Sequence, residues 1–133
     1  MIIVTGGAGC IGSAIVWALN KRGIKDIILV DGVDHPEKKK NIASLDYFAL
    51  EGKEIFLDRI TNLKIPWSID AIIHLGGCSS TIERNEAFLT KTNFDYTRCL
   101  ATYALNKNIR FIYASSAATY GSGENGFSDK VDL

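Results

Sequence analysis

The sequence predicts an α/β fold, a doubly wound parallel sheet, and three observations predict it. Short apolar runs alternate with stretches of helical periodicity along the chain. The runs are continuous rather than alternating, as strands covered on both faces are. Small and polar residues cluster directly after them, at Thr5-Gly6-Gly7, Asp31-Gly32, Leu75-Gly76-Gly77 and Ser115-Ser116. A parallel sheet with right-handed crossovers brings these clusters to one edge, where ligands sit in such folds.

Taken in order, Ile2 to Thr5 reads as the first buried strand. A helix follows over Ile11 to Lys21, with Ile11, Ile15, Ala18 and Leu19 on one face and Gly23 as its stop. Ile27 to Asp31 forms the second strand. Residues 32–40 read as polar loop, 41–50 as a short helix, and Glu54 to Leu57 as the third strand. Ala71 to Leu75 is the fourth. From Asn85 to Asn106 the pattern is helical in two pieces, with Phe94, Leu100, Tyr103 and Ala104 facing inward, and Arg110 to Ala114 is the fifth strand.

The 133 residues suit one domain, and a composition 47% hydrophobic and 23% charged is that of an ordinary soluble globular protein. Fifteen basic residues cancel fifteen acidic ones, so the chain lacks the basic field of non-specific nucleic-acid binding; its only basic run is Lys38-Lys39-Lys40. Cys10, Cys78 and Cys99 have no metal-ligand spacing and form no disulfide framework, which fits a reducing, cytoplasmic compartment. The first residues carry no signal-peptide pattern, and no apolar run approaches the ~20 residues that span a bilayer.

Gly7-Ala8-Gly9-Cys10-Ile11-Gly12 matches G-x-G-x-x-G, and counted from Gly6 the looser G-x-x-G-x-x-G. The pattern follows a strand and opens a helix, the context that points to a dinucleotide. Glycines allow the backbone to approach a phosphate, and the helix start near Cys10 and Ile11 offers free N–H groups to a pyrophosphate. The alternative is a tight strand–helix turn without a ligand. Asp31 lies 19 positions after Gly12, where a carboxylate bonds the adenosine ribose and repels a 2′-phosphate, favouring NAD. A lysine from Lys38-Lys39-Lys40 could neutralise that phosphate and admit NADP, so these residues leave both cofactors open.

Leu75-Gly76-Gly77-Cys78-Ser79-Ser80 can approach the nicotinamide ribose or the diphosphate, or serve as an ordinary glycine turn. His74 reads as a packed residue and Cys78 as a small buried hydrophobe. Ser115 and Ser116 can bond a substrate hydroxyl or carbonyl; without G-x-S-x-G, a hydrolase serine is disfavoured.

Together, Thr5-Gly6-Gly7-Ala8-Gly9-Cys10-Ile11-Gly12-Ser13, Asp31, Asn93 with Thr97 four later, and Ser115-Ser116-Ala117-Ala118-Thr119-Tyr120-Gly121 resemble the extended short-chain dehydrogenase/reductase family of sugar-nucleotide epimerases and dehydratases. Ile2 to Gly9, Gly76 with Cys78-Ser79-Ser80-Thr81, and Tyr113 to Gly121 are similar to the branch of that family that inverts C6 of an ADP-linked heptose.

The resemblance implies a Rossmann-type NAD(P)-binding fold, incomplete at its C-terminus, with residues 1–133 as the dinucleotide-binding domain. It implies an isomerase that oxidises the sugar transiently with NADP and returns hydride to the opposite face, in lipopolysaccharide inner-core synthesis. By matching position, Gly6, Gly9, Cys10, Ile11, Gly12, Asp31, Gly32, Lys38, Lys53, Leu75, Gly76, Gly77, Cys78 and Ser79 would contact the cofactor, with Asn93 supporting its pocket. Lys38 and Lys53 would take the 2′-phosphate, which makes NADP rather than NAD the expected cofactor. Ser116 would be the catalytic serine that polarises the reacting oxygen. An ADP-heptose substrate, a homo-oligomer and a cytoplasmic location follow from the same resemblance, with no metal, nucleic acid or membrane.

The sequence departs from the family where Cys10 replaces an aromatic residue, Leu75 and Gly77 replace an acidic residue and an alanine, and Thr92 replaces a polar amide. The family's base, a Tyr-x-x-x-Lys pair, lies on the helix after the serine strand, and Leu133 is reached before such a helix. Tyr103-Ala104-Leu105-Asn106-Lys107 has that spacing but precedes the serine strand. It reads as a core-facing tyrosine and a charge near a helix C-terminus. The chain alone is therefore expected to have little or no epimerase activity, to expose apolar surface and an open strand edge, to self-associate or be marginally stable, and to be poorly ordered over 122–133. The alternatives are another nucleotide-sugar epimerase or dehydratase of the family, and a stand-alone, non-catalytic NAD(P)-binding module.

Overall fold

Strand β1 (Ile2–Thr5) occupies the centre of a five-stranded sheet in a computed structural model that describes residues 1–80, 82–124 and 126–128. With β2 at Ile27–Val30, β3 at Ala49–Glu51, β4 at Ala71–His74 and β5 at Arg110–Tyr113, the order is β3-β2-β1-β4-β5. Every pairing is parallel. Helices α1 (Cys10–Lys21), α2 (Pro36–Ile42) and α3 (Lys53–Thr61) make the first crossovers. Between β4 and β5 run α4 (Glu86–Leu89), a π-helical turn over Thr90–Asp95 and α5 (Tyr96–Asn106); a 3-10 turn, Ala117–Tyr120, follows β5. The chain winds outward from β1 through β2 and β3, then returns to place β4 on its other side. That reversal opens a crevice at the carboxyl ends of β1 and β4.

The doubly wound parallel sheet is thus the observed fold, and its apolar strands face two cores. Ile3, Ile28 and Ile72 pack with Phe56 and Ile60 of α3 and with Tyr96, Leu100 and Ala104 of α5. Val4, Ile27 and Leu29 pack on the opposite face with Val16 of α1 and Ile42 of α2. Fully burying one such aliphatic side chain stabilises the fold by about 1.5–3 kcal/mol.

Several local expectations are corrected. The third strand is Ala49–Glu51, and Glu54 to Leu57 lies within α3. Phe56 and Ile60, four residues apart, are the buried positions of α3, so its period is helical. The segment read as loop over 32–40 and helix over 41–50 instead holds α2, which starts at Pro36. Ile42 is the only buried residue of this lysine-rich helix, too little apolar signal to betray its period. On α1 the buried positions are Gly12 and Val16, whereas Ile11 and Ala18 are exposed. Leu100 and Ala104 are buried as expected, but Phe94 is 59% exposed. Phe94 precedes Leu100 by six positions, about 240° around a helix of 3.6 residues per turn, so it does not share the face that Tyr96, Leu100 and Ala104 form at four-residue spacing.

Of the stretch 122–133, residues 125 and 129–133 lie outside the described residues, and Phe127 packs edge-on against Tyr120 with centroids 5.7 Å apart. β5 forms one edge of the sheet, with Ile112 and Tyr113 exposed. Among the described residues, no helix is long and apolar enough to cross a membrane.

A hydrogen-bond chain, buried at its Thr5–His74 link, joins β1, β4 and α5 at the crevice. Thr5 Oγ1 accepts the N–H groups of Leu75 (3.2 Å) and Gly76 (3.0 Å) and lies 2.6 Å from His74 Nδ1. His74 Nε2 lies 2.8 Å from Thr97 Oγ1, whose hydroxyl donates to the Asn93 carbonyl at 2.6 Å. Each hydroxyl has a single proton. Thr97 gives its proton to Asn93, so it accepts from His74 Nε2–H. The neutral imidazole then accepts the Thr5 proton at Nδ1, and every member is satisfied. Burial, aided by the nearby Lys53 ammonium, lowers the His74 pKa from 6.5 to about 4.

Two outcomes are expected. Ile72→Ala, on a fully buried strand position, costs about 2–5 kcal/mol in urea unfolding, with the spread set by how far the cavity collapses. Unfolded His74 binds a proton near pH 6.5, but the folded chain resists until about pH 4. The unfolded state therefore holds more protons within that window. Stability falls as pH drops through it, by up to about 1.4 kcal/mol per pH unit, and this group contributes no pH dependence above it. Unfolding at pH 7 and pH 5 checks this: the slope should shrink in His74→Gln, and equal slopes would refute it.

Candidate functional site

The crevice widens into a cleft of about 900 Å³ along the carboxyl ends of the strands. It is lined by Gly6, Gly9, Cys10, Ile11 and Gly12 of the first turn, by Asp31, Gly32 and Lys38, by Lys53, by Leu75, Gly76, Gly77, Cys78 and Ser79, and by Asn93 and Ser116. The residues expected at the cofactor and the expected serine therefore converge on one surface, whereas Lys39, Lys40 and Ser80 are not among its lining. Val30, His74, Thr92, Tyr96 and Thr97 share it. Thr81, the end of the Cys78-Ser79-Ser80-Thr81 match, lies outside the described residues.

Backbone contact dictates the glycine turn. Gly6 has φ +67°, and a Cβ there would lie 2.9 Å from backbone atoms of Leu75 and Gly76. A Cβ on Gly12 would overlap the Gly6 carbonyl and come within 2.8 Å of Gly7 Cα. Gly9 occupies the N-cap position of α1 without a side-chain cap, and no acidic residue stands in the first turn. The first N–H groups of α1 have no acceptor within the helix, and the positive end of its dipole opens on the cleft. Such a cradle fits a pyrophosphate.

Asp31 fastens this turn. Its Oδ2 accepts the Ala8 N–H at 3.0 Å, while Oδ1 accepts the Gly32 N–H at 2.8 Å and Lys38 Nζ at 2.6 Å. Asn41 Nδ2 donates to the Ala8 carbonyl at 3.0 Å, so the two peptide groups of Ala8 are held from opposite sides. Sequence reasoning missed Asn41, because its place depends on α2, which had no visible period.

At the far side of the cleft, Asn93 pairs with the Cys78 backbone. Its Oδ1 accepts the Cys78 N–H at 2.7 Å and its Nδ2 donates to the Cys78 carbonyl at 3.0 Å. Cys78 is half-buried and engaged through its backbone, so the expectation of a buried hydrophobe is corrected. Ser116 caps the 3-10 turn by accepting the Ala118 N–H at 3.2 Å, which leaves its hydroxyl proton free to meet a ligand oxygen.

Lys53 Nζ lies 4.5 Å from the Tyr96 ring centroid. Desolvation lowers its pKa; Glu54 opposes that shift and Lys91 adds to it. Burial pushes the Tyr96 phenol far above its ordinary range, and its hydroxyl has no hydrogen-bond partner among the described residues. Tyr103 and Lys107 line a separate hollow of about 310 Å³ with Leu63, Ile65 and Trp67, and neither lines the cleft.

Residues 2–132 match the sequence model of the family described as the NAD dependent epimerase/dehydratase family. The ADP-L-glycero-D-manno-heptose-6-epimerase of Nitratidesulfovibrio vulgaris is 48% identical over 129 residues, 97% of this chain and 40% of that protein. The protein of the same name from Fusobacterium nucleatum is 48% identical over 131 residues, covering 98% and 40%. Among solved structures, the Helicobacter pylori ADP-L-glycero-D-manno-heptose-6-epimerase superposes with a TM-score of 0.75 at 26% identity, covering 90% of this chain and 40% of that one. The Bacillus cereus UDP-glucuronic acid 4-epimerase in complex with NAD gives 0.72 at 26% identity, over 91% and 41%. The chain thus spans about 40% of the length of these relatives. Its glycine turn, its parallel sheet and the match over residues 2–132 together place it in the NAD dependent epimerase/dehydratase family.

Proposed function

We propose that this chain is the dinucleotide-binding portion of an ADP-heptose 6-epimerase and that it takes NADP. The sugar assignment is supported by 48% identity to relatives bearing that name. The observation that carries the cofactor assignment is the 2.6 Å ion pair between Lys38 and Asp31, with Lys53 in the same cleft. A bare carboxylate at the end of β2 repels a 2′-phosphate. Here Asp31 is matched by a cation, and its side chain is only 9% exposed. A second cation, Lys53, is available to an added phosphate.

In this reading the amides at the start of α1 hold the pyrophosphate, and Gly6 and Gly12 let it come close. Asp31 keeps one carboxylate lone pair beyond its three present donors for a ribose hydroxyl. Asn93 fixes the 75–79 loop beside the nicotinamide half. When bound, the nicotinamide supplies the hydride acceptor and donor. Ser116 donates its hydroxyl proton to the reacting sugar oxygen, polarising it. A nucleotide-sugar partner, a homo-oligomeric assembly and a cytoplasmic setting belong to the same proposal.

Removal of the sugar hydroxyl proton needs a base, and among the described residues the cleft lining holds no Tyr–Lys pair in the family's order. General-base help of that kind is worth roughly 10²–10⁴-fold. The 133 residues by themselves are expected to bind dinucleotide and turn over ADP-heptose little or not at all. An assay at the rate of a full-length relative would refute that. Titration calorimetry with NADP and NAD tests the cofactor. Lys38→Ala and Lys53→Ala should each weaken NADP by about 5- to 50-fold and leave NAD within about twofold. Lys38→Ala should be the more severe, because it also unmasks Asp31. Unchanged NADP affinity in both variants would overturn the 2′-phosphate assignment.

A further inference from the structure

We propose that Tyr96 is a positioning residue for Lys53: its ring face holds the ammonium over the cleft and so sets the preference for a dinucleotide carrying the extra phosphate. The proposal rests on the assignment of Lys53 to the 2′-phosphate made above.

Lys53 stands where helix energetics disfavour it. It is the first residue of α3, behind the N-cap Gly52, so its cation meets the positive end of the helix dipole. The charge is also partly desolvated, with Lys91 nearby. A lysine stem is flexible, and at such a site the ammonium would otherwise swing into water. What holds it is Tyr96, whose ring centroid lies 4.5 Å from Nζ, well inside the range of a cation–π contact.

The platform is rigid. Tyr96 is 2% exposed, within the core cluster that contains Phe56, Ile72 and Leu100. His74 meets it edge-on at 5.1 Å, and His74 is itself held by Thr5 and Thr97. The Tyr96 hydroxyl is buried without a partner among the described residues, so no hydrogen bond to them at that end explains the residue. The working part is the ring face. A cation held in advance loses less freedom when a phosphate arrives, which strengthens binding of that cofactor alone.

The test compares NADP and NAD dissociation constants for the wild-type chain, Lys53→Ala, Tyr96→Phe, Tyr96→Leu and the Lys53→Ala/Tyr96→Leu double variant. Tyr96→Leu should weaken NADP by about 3- to 30-fold while NAD stays within about twofold. Tyr96→Phe keeps the ring and should keep the preference. In the double variant, Tyr96→Leu should add nothing to the loss caused by Lys53→Ala. Equal losses for both cofactors, or no NADP loss in Tyr96→Leu beside a clear loss in Lys53→Ala, would overturn the proposal and leave the phosphate assignment standing. No NADP loss in Lys53→Ala would remove that assignment and this proposal together. If the leucine variant fails to fold, proton NMR of the wild-type chain decides. The Lys53 ε-CH₂ resonances should lie upfield, shifted by the ring current, and should respond to NADP but not to NAD. Unshifted resonances, or equal responses, would overturn the proposal.

Discussion

The cleft depends on how closely the start of α1 approaches the end of β1. Gly12 has no room for a side chain against the Gly6 carbonyl, and Gly6 itself lies against the backbone of Leu75 and Gly76. Three chain segments are therefore in backbone contact at one point, which aims the free amides of α1 at the crevice between β1 and β4. The closeness must be held, since a glycine turn has little side-chain packing of its own. Asp31 and Asn41 hold it by taking both peptide groups of Ala8, and Thr5 holds the Leu75 side through two N–H bonds. Residues that a sequence reader would assign to the ligand thus also shape the loop that receives it.

Charge at the cleft follows from the same economy of space. The chain is neutral overall, yet Lys38 and Lys53 both border the cleft, and each has a specific counter-group: a carboxylate for Lys38, an aromatic face for Lys53. His74, at the end of β4 and near Lys53, stays neutral because burial disfavours its charged form, and its two nitrogens already have defined donor and acceptor roles. A protonated ring would point a second donor at Thr5 Oγ1, which already accepts two backbone N–H groups, and would add a cation near Lys53. Burial and hydrogen bonding therefore act in the same direction, and the ring serves as a fixed strut between β1 and α5.

Much of this was legible in the sequence because the relevant signals are local. A glycine pattern between a strand and a helix needs only neighbouring residues to be recognised, and Asp31 follows at a spacing set by one helix and one strand. The strands of the sheet centre are short continuous apolar runs and were found within a residue of their ends. The region from 32 to 61 was misread for a physical reason. α2 buries a single apolar residue, and the three-residue β3 has no fully buried side chain, so neither carries a periodic signal. Asn41 depends on α2, and Tyr96 meets Lys53 of another helix; both act across the fold on partners far away in sequence. Phe94 shows the limit in reverse: it is apolar, yet it lies off the face that Tyr96, Leu100 and Ala104 share at four-residue spacing.

The cleft is graded in rigidity, and the gradient follows the division of its chemistry. On the β1–β2–β4 side, Val4, Thr5, Leu29 and Ile72 are fully buried, and His74 nearly so. On the β5 side the strand is an edge, Ile112 and Tyr113 are exposed, and among the described residues Ser116 is held through the bonds of its 3-10 turn. Local stability tracks buried contact, so the first side has the more fixed geometry, whereas the turn that carries Ser116 has fewer bonds among the described residues. If a hydroxyl on that turn is to meet a reacting oxygen, as proposed above, it must be held to the tighter tolerance of the two. The groups that shape the glycine cradle, by contrast, are already bonded to one another across β1, β2 and α2.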